Sequence, residues 1–218
     1  MFVEFWEPVR LSIQVASLSC FIVLVTGIFI AKIMARKSFK GKLLLETMLI
    51  LPLVLPPSVI GFILLMLLGN DSPVGQVIQW LFNGPVIFTW FAAVIASTVV
   101  AFPLMYQSAK TGFEMIDSDI ENAARVDGAS EAKVFWLITI KLAGKSLVMG
   151  GILSFARGLG EFGATLMVAG NLPGRTQTIP TAIYFAMDSG NMTLAWAWVI
   201  MIILLSFLML TIVHIMKR

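Results

Sequence analysis

Residues 43 to 68 read LLLETMLILPLVLPPSVIGFILLMLL. A helix needs about 20 apolar residues to cross roughly 30 Å of hydrocarbon, and this run supplies them. Pro52, Pro56 and Pro57 interrupt it. Each removes a helical N–H, which kinks or breaks a helix unless neighbouring groups take up the freed carbonyls. The stretch therefore predicts an interrupted span rather than a straight helix facing lipid. Comparable apolar runs fall at about 9 to 34, 86 to 107, 146 to 170 and 194 to 216. With 59% hydrophobic and 12% charged residues and a mean hydropathy of +0.95, the 218-residue chain excludes a soluble globular domain. The reading is an all-α integral membrane protein with about five transmembrane helices, a single domain over residues 1–218.

The N-terminal run is expected to be retained. Glu4 and Glu7 stand where a cleavable signal would be basic, and the apolar stretch continues to about Met34, longer than a signal core. Basic residues set the orientation. Arg36, Lys37, Lys40 and Lys42 fill the segment after the first run, and Lys110, Arg125, Lys133, Lys141 and Lys145 fill a coupling-loop region of about 108–145. Between the other runs, 69 to 85 and 171 to 193 contain only Arg175. Positive-inside counting places the N-terminus outside and the C-terminus in the cytosol. Within 171 to 193, the apolar piece Ile183 to Met187 is too short to cross, so a short re-entrant or capping helix is expected on the outer side.

Several chemistries are excluded. The +3 net charge sits at the ends of apolar runs and makes no nucleic-acid patch. Cys20 and His214 are each the only residue of their kind, so no metal site is expected. Ala143-Gly144-Lys145-Ser146 imitates the end of a P-loop, but position 139 is Thr where the first glycine belongs. No Ser/His/Asp or Cys/His set offers nucleophilic catalysis, so no catalytic residue and no cofactor are assigned to this chain.

Two clusters carry functional readings. Ser118-Asp119-Ile120-Glu121 has the capping-box pattern of a helix start, Gly128 a stop, and Ser130-Glu131 a further start. Ala123 and Ala124 would give this short helix a low surface that another protein's groove could approach, with Glu121, Arg125 and Asp127 at its rim. An ordinary solvated connector is the other reading of the same residues. Arg157 and Glu161 lie one turn apart inside an apolar run. Charges at that depth cost about 2.5 to 3.5 kcal/mol each and should face protein or water. Gly150, Gly151, Gly158, Gly160 and Gly163 thin the same helix for close approach. Arg157, Gly160, Glu161 and Thr165 are thus candidates for lining a path, and a purely structural ion pair is the alternative.

The run Glu121 to Ser130, followed by Ile138-Thr139-Ile140, resembles the Glu-Ala-Ala loop of ABC importer permeases. Ala123, Ala124, Gly128 and Ile138 fall in register; Asn122 stands where the pattern has Glu, Ile140 where it has Leu, and Lys141 where it has Pro. Leu51 to Pro57, Gly158 to Thr165 and Gly170 to Thr178 resemble the molybdate permeases, with the sulfate permeases close by. The resemblance implies a multi-pass permease in a bacterial or archaeal inner membrane, translocating a tetrahedral oxyanion, molybdate or tungstate, by alternating access. It implies a homodimer, two cytosolic ATPase subunits that carry ATP and magnesium, and an extracytoplasmic oxyanion-binding protein. Glu121, Ala123, Ala124, Arg125, Gly128 and Ala129 would couple to the ATPase, and Arg175, Thr176 and Gln177 would form an outer-loop site. A sulfate or thiosulfate permease is the alternative within the resemblance. A secondary transporter driven by an ion gradient would show internal repeats, and none stands out.

Overall fold

The computed structural model describes residues 2–82 and 84–217. Among them there is no strand; the elements are α1 (Phe2–Arg36), α2 (Lys42–Val54), α3 (Pro57–Leu68), α4 (Pro73–Phe82), α5 (Trp90–Glu114), α6 (Ser118–Val126) and α7 (Glu131–Val134), followed after a π-helical turn, Phe135–Thr139, by α8 (Ile140–Leu159), α9 (Gly163–Ala169), α10 (Ile179–Asp188) and α11 (Met192–Lys217). Four stretches are long and apolar enough to cross a bilayer: Glu4–Arg36, Trp90–Glu114, Glu131–Leu159 and Met192–Ile215. The fifth expected span is the pair α2 and α3, which meet at a 115° bend. The bend follows from the prolines. Pro56 and Pro57 cannot donate the N–H groups that would continue α2, and Pro57 instead opens α3 at a position where no donor is needed.

The core is built around α5, which packs against both α1 and α8. Small residues make this approach possible: Ala92, Ala93, Ala96, Ser97 and Ala101 are buried on α5. A Cβ added at Gly150 would come 2.7 Å from the Ser108 Cβ, and one at Gly112 2.7 Å from the Ser146 Cβ. Such small-residue seams are how membrane helices gain packing where lipid offers no hydrophobic drive. On the expected outer side, α10 packs under α11 and α1. Ile179 donates its N–H to Ser12 Oγ (2.7 Å), and Trp198 Nε1 donates to the Phe5 carbonyl (3.0 Å). This is the short capping helix expected over 171 to 193, longer than the piece 183 to 187. By contrast, α2 has no buried residue, and only 11% of the apolar window of α11 is buried.

Three boundaries differ from the sequence reading. α5 begins at Trp90 and continues to Glu114, beyond the expected end at 107, and α8 starts at Ile140, so helix enters the 108–145 region from both sides. The segment 69 to 85 contains α4. Its start signal is Ser72-Pro73: Ser72 Oγ accepts the Gly75 N–H (2.8 Å) and proline sits at the first helical position. The run 146 to 170 is not one helix but breaks at residues 160 to 162.

Candidate coupling surface and interrupted-helix site

The short helix α6 starts one residue earlier than the capping box requires. Asp117, not Ser118, is the cap, and its carboxylate accepts the Asp119 N–H at 2.9 Å. Glu121 is therefore free for another task. It is buried, pairs with Arg36 (3.0 Å), accepts the Thr139 hydroxyl proton (2.6 Å), and lies 3.9 Å from Arg125. The expected rim role of Glu121 is corrected: it anchors α6 inward, to the end of α1 and to the π-helical turn that leads into α8. Arg125 is exposed and grips Glu131 through Nε (2.6 Å) and Nη2 (3.2 Å), while its Nη1 donates to Asn122 (2.8 Å). The Glu131 hydrogen bond raises the pKa of the already charged Arg125 guanidinium further.

With α6 clamped from below, small and apolar residues lie exposed on it beside Asp119, Asn122 and Asp127. Ala123 is exposed, Ala124 and Ala129 are half-buried, and Ile120 and Val126 are 48% and 87% exposed. Gly128 ends the helix at φ +85°, with the Gly128 N–H on the Arg125 carbonyl and the Ala129 N–H on the Ala124 carbonyl, a Schellman closure that needs the left-handed region. An apolar, low surface on an anchored helix is a fit for a partner's groove.

The second site lies where α8 ends. Counting about 1.5 Å per residue from Lys145 at the helix entrance, Arg157 stands about 18 Å into the hydrocarbon, beyond its middle. Arg157 Nη1 donates to Glu161 Oε2 at 2.6 Å, and the Ala164 N–H donates to Glu161 Oε1 at 2.9 Å. Glu161 is buried, whereas the Arg157 side chain is 31% exposed. The pair thus closes a break in the helix: the cation sits in the last turn of α8 and the carboxylate on the Ala164 N–H in the first turn of α9, each at the end its charge favours. Opposite this break is the other one. A Cβ at Gly163 would lie 3.0 Å from the Pro57 Cβ, and one at Gly61 2.9 Å from the Met167 Cβ and 3.0 Å from the Ala164 Cα. The two interrupted helices interlock, α3 along α9. Of the remaining path candidates, Gly160 is exposed at the break and Thr165 is buried on α9.

The outer-loop residues do not form one site. Arg175 is exposed and faces α1 and Trp90. Thr176 is buried and accepts the Leu172 N–H at 3.1 Å, holding the turn. Gln177 lines a different groove with Glu4 and Glu7. No group of three or more metal-ligating side chains occurs among the described residues.

The model of the family described as binding-protein-dependent transport system inner membrane component matches residues 24–218. The chain belongs to this family. It is a multi-pass transport component of the inner membrane. This inner membrane component is 63% identical over 207 residues to a Bacillus subtilis (strain 168) protein named as a molybdenum transport system permease, YvgM, covering 95% of this chain and 91% of that one. It is 43% identical over 179 residues to the molybdenum transport system permease protein ModB of Escherichia coli (strain K12), covering 82% and 78%. It is 32% identical over 190 residues to the sulfate transport system permease protein CysW of Synechococcus elongatus, covering 87% and 66%. In fold it is similar to the MetNI methionine ABC transporter in inward-facing conformations, with TM-score 0.70, 17% identity, and 98% and 97% of the two chains covered. A bacterial alginate ABC transporter aligns at TM-score 0.75, again at 17% identity, covering 99% of this chain and 78% of that one.

One cluster in this inner membrane component was not singled out from sequence. Glu46 on α2 accepts from Lys110 Nζ (2.7 Å) and from the Tyr106 hydroxyl (3.4 Å), with Lys42 at 3.9 Å; Lys110 also reaches Glu114 (3.6 Å). It ties α2, which has no buried residue, to α5. The signal was present as Lys42 and Glu46, an i, i+4 pair at the mouth of an apolar run.

Proposed function

We propose that this chain is the permease subunit of an ATP-driven importer of a tetrahedral oxyanion, molybdate or its near twin tungstate. The observation that carries the reading is the 63% identity, over nearly the whole of both chains, with a relative named as a molybdenum transport permease. Two copies form the path between them. ATP and magnesium act on two separate cytosolic ATPase subunits, and an extracytoplasmic binding protein delivers the anion. The coupling residues are Ala123, Ala124, Gly128 and Ala129 at the surface of α6, with Glu121 and Arg125 as its positioning residues. A push on α6 passes through the Glu121 contacts with Arg36 and Thr139 into the π-helical turn, an irregularity frequent at functional sites, and along α8 to the break at Gly160. There the Arg157 and Glu161 pair holds α8 to α9 across from the α2 and α3 bend, so both interrupted helices respond together. Because Glu161 neutralises Arg157, the path attracts an anion only weakly, which suits a carrier that must also release it.

The test is reconstitution of the permease in proteoliposomes with the ATPase and binding protein encoded beside it. Molybdate uptake should require ATP and the binding protein, and excess sulfate should not suppress it. Uptake that ignores ATP and collapses with an ion gradient would refute the importer reading. Equal competition by sulfate would move the assignment to the sulfate branch.

A further inference from the structure

On the expected outer side, α1 presents Leu11, Ile13, Gln14, Ser17, Leu18 and Phe21 to a groove of about 810 Å³ completed by Trp90 and Arg175. Its depth follows from helix geometry. Gln14 lies about 30 Å along α1 from Met34, and Trp90 about 30 Å along α5 from Lys110, so both mark the boundary opposite the basic ends. Polar side chains gather at that boundary: the Gln14 amide, the Ser17 hydroxyl and the Arg175 guanidinium, each able to donate. Arg175 is exposed and makes no ion pair among the described residues. Below the donors, Leu18 and Phe21 continue as an apolar wall into the bilayer depth, with Phe21 64% exposed.

We infer that this groove binds a glycerophospholipid of the outer leaflet, its phosphate held by Arg175 and Gln14, and an acyl chain lying along Leu18 and Phe21. The donors alone would equally suit an inorganic oxyanion. The apolar wall beneath them decides for the lipid, since an inorganic anion has nothing to lay against it. The site is independent of which solute the permease carries.

Native mass spectrometry of the detergent-purified permease complex, titrated with phosphatidylglycerol and separately with diacylglycerol, tests this. The expected result is saturable phosphatidylglycerol binding at one lipid per chain, with diacylglycerol weaker. Arg175→Ala should weaken phosphatidylglycerol by about tenfold, the loss of one charge-assisted contact. Gln14→Leu, which keeps the size and removes the amide, should weaken it by a smaller factor, and this variant carries the test if Arg175→Ala fails to assemble. Equal binding of the two lipids, or variants that retain phosphatidylglycerol like the native chain, would overturn the proposal. Displacement of the lipid by excess molybdate would make this an inorganic oxyanion site instead, and disulfide formation between two Ser17→Cys copies would show that the partner copy covers the groove; either result overturns it.

Discussion

At position 158 there is room for a hydrogen and little else. An added Cβ would stand 2.6 Å from Ser97 Oγ and 3.2 Å from Ser19 Oγ, the two hydroxyls that hydrogen-bond each other at 3.0 Å between α5 and α1. Gly158→Ala should lower stability by about 1 to 3 kcal/mol through overpacking. Gly144→Ala, on the same helix with no atom within 4 Å of the new Cβ, should be neutral or slightly stabilising. Thermal unfolding of the two variants in detergent checks the contrast, and equal melting points would refute it. The Arg157 and Glu161 pair makes a second residue-scale prediction. Arg157→Ala leaves a buried carboxylate with one backbone N–H, so each single alanine variant should be less stable than the double variant, with a coupling of more than about 1 kcal/mol. Singles that merely add up in the double would mean the pair contributes nothing. The sequence offered the i, i+4 spacing of these residues, but not that a helix break separates them. The run from Gly158 to Ala169 stays largely apolar, and the Glu161 contact with the Ala164 N–H in the first turn of α9 is made only once the chain has turned.

At the scale of the element, α6 was legible because its signals are local: acidic residues in the first turn, small residues in the middle and Gly128 at the end. The identity of the cap was not, since Asp117 and Ser118 are both good cap residues and tertiary contacts chose between them. Once Arg36 and Thr139 claim Glu121, the reciprocal capping box cannot close. Surface and anchor can be separated by experiment. Val126→Asp changes a side chain that is 87% exposed, so it should leave melting unchanged while reducing the amount of ATPase that co-purifies. Gly128→Ala meets no atom within 4 Å, so its cost is only the left-handed backbone, about 1 kcal/mol. Retention of a normal amount of ATPase by Val126→Asp would remove α6 from the docking surface.

Over the whole molecule, apolar runs separated by basic segments were enough to read the number of crossings, because lipid forces every backbone group into helix and makes the pattern coarse. How the helices pack was beyond reach: the seam of Gly112, Gly150 and Gly158 against α5 depends on neighbours far apart in sequence. Orientation rests on charge alone, so it calls for direct measurement. The chain has one cysteine, Cys20, half-buried on α1, whose hydrogen-bond partner among the described residues is the Gly151 carbonyl, a weak contact at 3.4 Å; Cys20→Ala therefore gives a cysteine-free background at little cost. Into it Asp188→Cys and Lys133→Cys are placed one at a time. Both positions are exposed, the first the last residue of α10 between the last two runs, the second on α7 beside the coupling helix. The first follows a segment whose one basic residue is Arg175; the second lies among Arg125, Lys133, Lys141 and Lys145. A membrane-impermeant maleimide added to intact cells should label position 188 and spare position 133, which should react only after the membrane is opened. The reverse pattern would invert the molecule, placing α6 outside where no cytosolic ATPase could reach it.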